Sequence, residues 1–431
     1  MSGDTNIHVE HLTRVEGHGD IFFNSREGKV ENVQWHVTEA PRFFEAMLRG
    51  KSYEHLRAIT SRICGICSIG HSLASLKATE AALGVQVSEE TVLLRRLALH
   101  GENMQSHVLH IGYLVVPDLF GVGSVFPMVA THKDAVVKIV GLHRLSNFMS
   151  DLICGRTTHP ITLALGGFRK VPTIAELLDL KARLDAAKPV ISEIAGILAS
   201  VKGNLPDFDR ETEYIALVAE DLYALYDGDI GSSDTGLHPV NYYRDIANEY
   251  VVGQSTAKYT KHVRDSYMVG ALARFNLNES KLSDFGREIA QILGMKAPIH
   301  NPFMNTYAQM VEVADSVQDS ILVIDELLDR GVKGDIAEVQ VKAGRGIGAV
   351  EVPRGILFHD YTIDGIGNCT KANCIIPTNQ NHANIQLDLE QLAPGLVDRP
   401  EKEIELKLEM LVRAYDPCIS CSTHYAKVHF V

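Results

Sequence analysis

Arg62-Ile63-Cys64-Gly65-Ile66-Cys67, followed by His71, stands near one end of the chain, and Asp416-Pro417-Cys418-Ile419-Ser420-Cys421-Ser422-Thr423-His424 stands near the other. Each stretch carries C-x-x-C, a spacing that lets two thiolates hold one metal from a single turn. Four thiolates make one site only if the fold brings the two ends together. The rest of the chain therefore reads as a scaffold for that meeting.

A chain of 431 residues is enough for one large body or two or three domains. A formal charge of −13 with no run of Lys or Arg argues against a nucleic-acid partner. Met1 to Glu10 is polar and has no apolar signal core. Ile111 to Ala130 is apolar but broken by Pro117, Gly121, Gly123 and Pro127, so no transmembrane segment is expected. Seven cysteines, odd in number and mostly in C-x-x-C pairs, suit a reducing, cytoplasmic setting.

Along the chain, Ile7 to Val37 alternates as short strands, and Pro41 to Leu48 reads as a short helix. Tyr53 to Leu83 is helical with a break at the first cysteine pair, and Cys67 and His71 share a helical face. Thr91 to Val116 predicts a long helix carrying His100, His107 and His110, ending before Pro117. Ala135–Ile153 and Ile174–Val201 are helical, with Pro189 expected to kink or divide the second. Asp207 to Gly253 reads as a β-rich insertion, and Ser280–Leu293 and Pro302–Leu328 as helices.

Strands are expected at Glu338–Val341, Gly348–Val352, Ile356–Ile363 and Ala372–Ile376, then an amphipathic helix over Glu401–Ala414. The whole is mostly α with small β regions (α+β), in one body. Residues 1–55 form a β-rich part, 56–330 a helical core with the insertion near 207–253, and 331–424 a β/α part packing back on the N-terminal part.

A structural zinc site draws its cysteine pairs from a compact module, with roughly 15–20 residues between them. Here Cys67 and Cys418 stand on the order of 350 residues apart, which a zinc ribbon does not need. Thiolates also suit nickel and iron. Asp416 before the second pair, with His71 and His424 after the two pairs, suits a metal site that handles protons.

Further stretches stand in fixed order: Thr13-Arg14-Val15-Glu16-Gly17-His18, Arg156-Thr157-Thr158-His159-Pro160 with Gly166-Gly167, Pro353-Arg354-Gly355-Ile356-Leu357, and Ile376-Pro377-Thr378. With the two cysteine pairs, this ordered set resembles the large subunit of nickel–iron hydrogenases over nearly the whole chain. The resemblance implies that family's large-subunit fold, with a central helical bundle, and reversible heterolytic cleavage of H2. It implies Cys64 and Cys418 as terminal nickel ligands, and Cys67 and Cys421 as ligands bridging nickel to an iron with CO and CN ligands. Glu16 would relay the proton from Cys418; without the resemblance it reads as a salt-bridge partner of Arg14. Arg354, after Pro353, would reach over the open metal face. Thr378 would bond a cyanide, Asp416 would pair with Arg354, and His71 and Pro353 would line the cofactor. Two departures stand out: Ser106 where many members carry an acid, which leaves fewer carboxylates around Arg354, and Val352 in place of alanine.

The resemblance also implies a magnesium or iron ion held by Glu45, His424 and the backbone carbonyl of His382, although Glu45 alone reads equally as a surface helix charge. It implies a maturation protease that removes Tyr425–Val431 once nickel is inserted by dedicated insertion proteins. Cys154, Cys369 and Cys374 make no iron–sulfur pattern, so no such cluster is expected in this chain. The run Gly344-Arg345-Gly346-Ile347-Gly348 is discounted as a dinucleotide loop, because Pro353 follows instead of a helix. Electrons would leave through an iron–sulfur small subunit. Gly17-His18-Gly19, Pro41-Arg42-Phe43-Phe44-Glu45 and the short tail resemble the cytoplasmic bidirectional branch (group 3, NAD(P)-linked or sulfhydrogenase-type), which works with flavin- and NAD(P)-binding diaphorase-type subunits. The alternatives are an H2-sensing hydrogenase, which lacks a removable tail, a complex I-like quinone-binding subunit, which lacks the cysteines, and a structural zinc protein with four cysteine ligands.

Overall fold

Strands β1 (Thr5–Val9), β2 (Gly19–Arg26) and β3 (Lys29–Val37) form an antiparallel meander in a computed structural model that describes residues 4–423. Val33, Trp35 and Val37 alternate into the core, as the two-residue period of a half-buried strand requires. A short helical turn, Phe44–Leu48, leads to helices α1 (Tyr53–Thr60) and α2 (Ser68–Leu83), with the first cysteine pair in the break between them.

Helix α3 (Glu89–Leu109) does not stop before Pro117. It continues through a π turn, His110–Val115, into a further turn, Val116–Leu119. Pro117 lies in the first turn of that last piece, where its missing N–H leaves no bond broken. Helix α4 (Lys133–Cys154) and helix α5 (Ile174–Val201) follow. Pro189 does not divide α5, because Leu184, Ala187, Ile191 and Ile194 stay buried on both sides of it.

The insertion contains β4 (Glu213–Val218), β5 (Asp229–Ser232) and β6 (Gly236–His238), joined by β7 (Tyr267–Met268) in the order β7-β4-β5-β6, with β7 parallel to β4. Helices α6 (Ala271–Asn278) and α7 (Asn305–Arg330) come next. No strand forms at 338–341, which is irregular; just before it, Ile336 makes an isolated bridge to Gly167, which supplies no ladder. The C-terminal sheet is β8 (Gly344–Val352), β9 (Gly355–Ile363) and β10 (Cys369–Ile375), all antiparallel. Helices α8 (Pro377–Leu392), α9 (Glu401–Ala414) and α10 (Ile419–Ser422) end the described chain. Among the described residues no helix is long and apolar enough to cross a membrane.

One contact orients the site. The glycine run is the first half of β8, not a turn, and it lies directly on α2. A Cβ added at Gly344, Gly346 or Gly348 would stand 2.1–2.2 Å from the carbonyl oxygens of Ala82, Ala78 and Ala74. Alternate strand positions thus meet every fourth helix position, and only hydrogen side chains permit so close an approach. The helix that begins after Cys67 is thereby locked to the β8–β9 hairpin. Because Val352 pairs with Gly355, the hairpin's two-residue loop is Pro353-Arg354.

Candidate metal centre

The two cysteine pairs meet in the interior. Cys64, Cys67, Cys418 and Cys421 are all buried, and their sulfurs lie within 4.8 Å of one another. The Sγ atoms of Cys64 and Cys418 are 3.3 Å apart, and those of Cys418 and Cys421 2.9 Å apart. Among the described residues this is the one group of three or more metal-ligating side chains so arranged. Hydrogen bonds from the neighbouring thiols hold the Cys64 thiol well below its ordinary range, whereas burial pushes Cys418 and Cys421 well above theirs. An all-sulfur donor set, dry and closely spaced, suits a soft metal and fits nickel with iron.

Backbone contacts aim the second pair. Asp416 adopts a left-handed conformation, φ 51°, which turns the chain out of α9 into the cysteine loop. Cys418 N donates to Thr378 Oγ1 at 3.1 Å. Glu16 runs parallel to Cys418 as a single β-bridge, its carbonyl accepting from Ile419 N at 2.9 Å. Its carboxylate Oε2 accepts from Ser420 N at 3.0 Å and from Cys418 Sγ at 3.2 Å. Glu16 is not paired with Arg14, whose guanidinium goes instead to Asp118 at 2.5 Å and Leu114 O at 2.7 Å.

Arg354 projects from the hairpin tip into the cluster, where it is buried. Its Nη1 donates to Cys67 Sγ at 3.4 Å and to Ser106 Oγ at 3.2 Å; its Nε and Nη2 donate to Asp416 O at 2.5 Å and Asp416 Oδ1 at 2.8 Å. Burial opposes the charge, but Asp416 and the surrounding thiols outweigh it and keep the guanidinium ionised. Ser106 is therefore a neutral acceptor on Arg354 where an acid would add charge.

With this geometry, the chain matches the family model for nickel-dependent hydrogenases over residues 42–147 and 247–424, and a HoxL-like model over 6–40. The chain belongs to the nickel-dependent hydrogenase family. It is 33% identical to the alpha chain of sulfhydrogenase 1 of Pyrococcus furiosus over 423 residues, 98% of each chain. It is 32% identical to the alpha chain of sulfhydrogenase 2 of the same organism over 424 residues, covering 98% of this chain and 100% of that one. Its fold matches an NAD+-reducing [NiFe]-hydrogenase in the H2-reduced state with a TM-score of 0.87 and 25% identity, covering 97% and 99% of the two chains. This hydrogenase chain is an oxidoreductase, the catalytic subunit for H2 cleavage.

In the hydrogenase chain the remaining expected residues among those described are buried with partners of their own. His71 bonds His359 Nε2 through Nδ1 at 3.1 Å, and His359 in turn bonds Tyr361 OH at 2.6 Å, tying α2 to β9. Pro353 O accepts from Arg274 Nη2 at 3.0 Å. Glu45 is buried, not a surface charge, and accepts from Cys374 N at 2.8 Å. His382 Nδ1 accepts from Trp35 Nε1 at 3.0 Å, and burial lowers its pKa to about 3, so the ring is neutral. His424 and Tyr425–Val431 lie outside the described residues. His107 and His110 are buried between helices, bonded to Glu312 Oε2 at 2.7 Å and Gln309 Oε1 at 2.6 Å.

Sequence reading does not single out two further residues. Arg42 Nη2 donates to Ile63 O at 2.6 Å and also to Ser420 O, clasping both cysteine loops with one guanidinium. Glu102 accepts from Ile69 N at 2.7 Å and Gly70 N at 3.0 Å, capping the start of α2. Burial pushes its carboxyl to about 8. Both roles depend on tertiary contacts: Arg42 stands in a stretch that resembles the family branch but with no role attached, and Glu102 stands in no recognisable spacing.

Proposed function

We propose that Cys64, Cys67, Cys418 and Cys421 hold a nickel–iron centre that cleaves H2 reversibly and heterolytically, with Cys64 and Cys418 terminal on nickel and Cys67 and Cys421 shared with an iron carrying CO and CN ligands. The observation that carries this reading is the convergence of four buried sulfurs from both chain ends, with a carboxylate 3.2 Å from one of them. When bound, the centre supplies the electrophile that polarises H2. The chain's own groups do the rest. Glu16 Oε2, within hydrogen-bond reach of Cys418 Sγ, takes the proton left on that sulfur and carries it outward. Arg354, fixed by Asp416, sets a cation beside the cluster. Thr378 holds the Cys418 backbone, and its hydroxyl would bond a cyanide of the bound iron.

Electrons leave through a small iron–sulfur subunit, then pass by flavin-containing partners to NAD(P) or a related soluble acceptor in the cytoplasm. The likeness to an NAD+-reducing hydrogenase and to sulfhydrogenase alpha chains supports that branch. Glu45, the His382 carbonyl and His424 hold a magnesium or iron ion, and a maturation protease trims 425–431 after metal insertion. Copurification with partner subunits, followed by H2-dependent reduction of NAD+, NADP+ and a deazaflavin compared side by side, tests the reading. Reduction of none of them with H2 overturns the electron route. Mass spectrometry of the nickel-loaded chain tests the trimming, and an intact tail contradicts it.

A further inference from the structure

We propose that Arg274 is the positioning residue for Arg354, holding the hairpin tip so that the Arg354 guanidinium reaches the four-thiol site. This rests on the reading that Arg354 acts at that site. Arg274, on α6, is fully buried, and all five of its N–H donors are used. Nε donates to Glu312 Oε1 at 2.6 Å. Nη1 donates to Glu351 Oε2 at 2.8 Å and Val352 O at 2.9 Å. Nη2 donates to Glu312 Oε2 at 2.7 Å and Pro353 O at 3.0 Å.

Val352 and Pro353 are the two residues immediately before Arg354: Val352 closes the ladder opposite Gly355, and Pro353 O lies in the two-residue loop beyond it. A planar fork serves two carboxylates and two carbonyls at once; a lysine ammonium, with three donors at one point, does not. The anchor is firm, because Glu312 on α7 is held at about 2 by Arg274 although burial alone would raise it. Tyr223 OH and His107 Nε2 bond the same carboxylate, each at 2.7 Å. Arg274 thus ties the loop backbone to α7, while Asp416 ties the far end of the Arg354 side chain to the second cysteine loop. A displacement of about 1 Å in a catalytic group costs on the order of a hundredfold in rate, so loosening the backbone matters to chemistry as well as to packing.

The test is a double-mutant cycle of R274K and R354K in the assembled, nickel-loaded enzyme, read by kcat for H2 oxidation and by the nickel paramagnetic resonance spectrum. R274K is expected to lower kcat at least tenfold and to shift the spectrum, since Arg354 Nη1 donates to Cys67 Sγ, with nickel content unchanged. In the R354K background the same change should move neither readout by more than about twofold, as expected for residues acting through one another. An equal loss in both backgrounds, or no loss in either, overturns the inference. If R354K alone keeps full activity and spectrum, the role given to Arg354 fails instead. Should R274K fail to load nickel, E312D, which keeps both charges but draws Arg274 off the carbonyls, carries the same two outcomes.

Discussion

Cys64 and Cys418 are 354 positions apart in the chain, and their sulfurs are 3.3 Å apart. Closing so long a loop costs entropy that grows only slowly with its length, so a metal bond that spans it stabilises a folded chain effectively. The cost is met first by packing: α2 on the glycine face of β8, and Arg42 across both cysteine loops.

Replacing one ligand should empty the centre. Cys418→Ser is expected to lower nickel content at least tenfold, whereas Cys154→Ser, at a buried thiol outside the cluster, should leave it unchanged. Metal analysis of the two purified variants checks this.

Glu16→Gln keeps an acceptor for Ser420 N but removes the carboxylate proposed to carry the proton from Cys418. H2 oxidation should fall about 10²-fold or more, the range for loss of a general base, with nickel content retained. Steady-state rates and metal analysis on one preparation separate the two effects.

Gly346→Ala would drive a Cβ to 2.2 Å from Ala78 O and 2.3 Å from Ala82 N. Backbone cannot yield there as a side chain would, so a loss of ~1–3 kcal/mol is expected from overpacking. The denaturation midpoint of the variant measures it.

Glu102 gives stability a pH slope. Its folded pKa of about 8 lies above the ordinary 4.5. Its contribution is therefore full below about pH 4.5 and is lost as pH rises toward 8, at up to ~1.4 kcal/mol per unit. Glu351, raised by burial to about 7, acts with the same sign. Glu102→Gln should flatten the fall in melting temperature from about pH 5 to 8, and an unchanged slope would contradict the assignment.

What the sequence discloses is what depends on neighbours along the chain. The C-x-x-C pairs, the break before Ser68, the Pro353-Arg354-Gly355 turn and the α9 helix are local patterns, and the structure has them. The glycine run is opaque for the opposite reason. Glycines signal a turn or a close approach equally, and here the Ala74–Ala82 face decides. Pro117 is tolerated in the first turn of a helical piece, where no bond is lost, and Pro189 sits inside a helix because burial on both sides outweighs one lost bond. Arg42, Glu102 and Arg274 acquire meaning only from partners that folding brings to them.

Nickel and iron K-edge X-ray absorption on the purified, active complex tests the central claim most directly. One nickel per chain, with sulfur and one iron in the scattering around nickel and that signal lost in Cys418→Ser, is the predicted result. Zinc alone at the four thiolates, in a preparation that still oxidises H2, would contradict it.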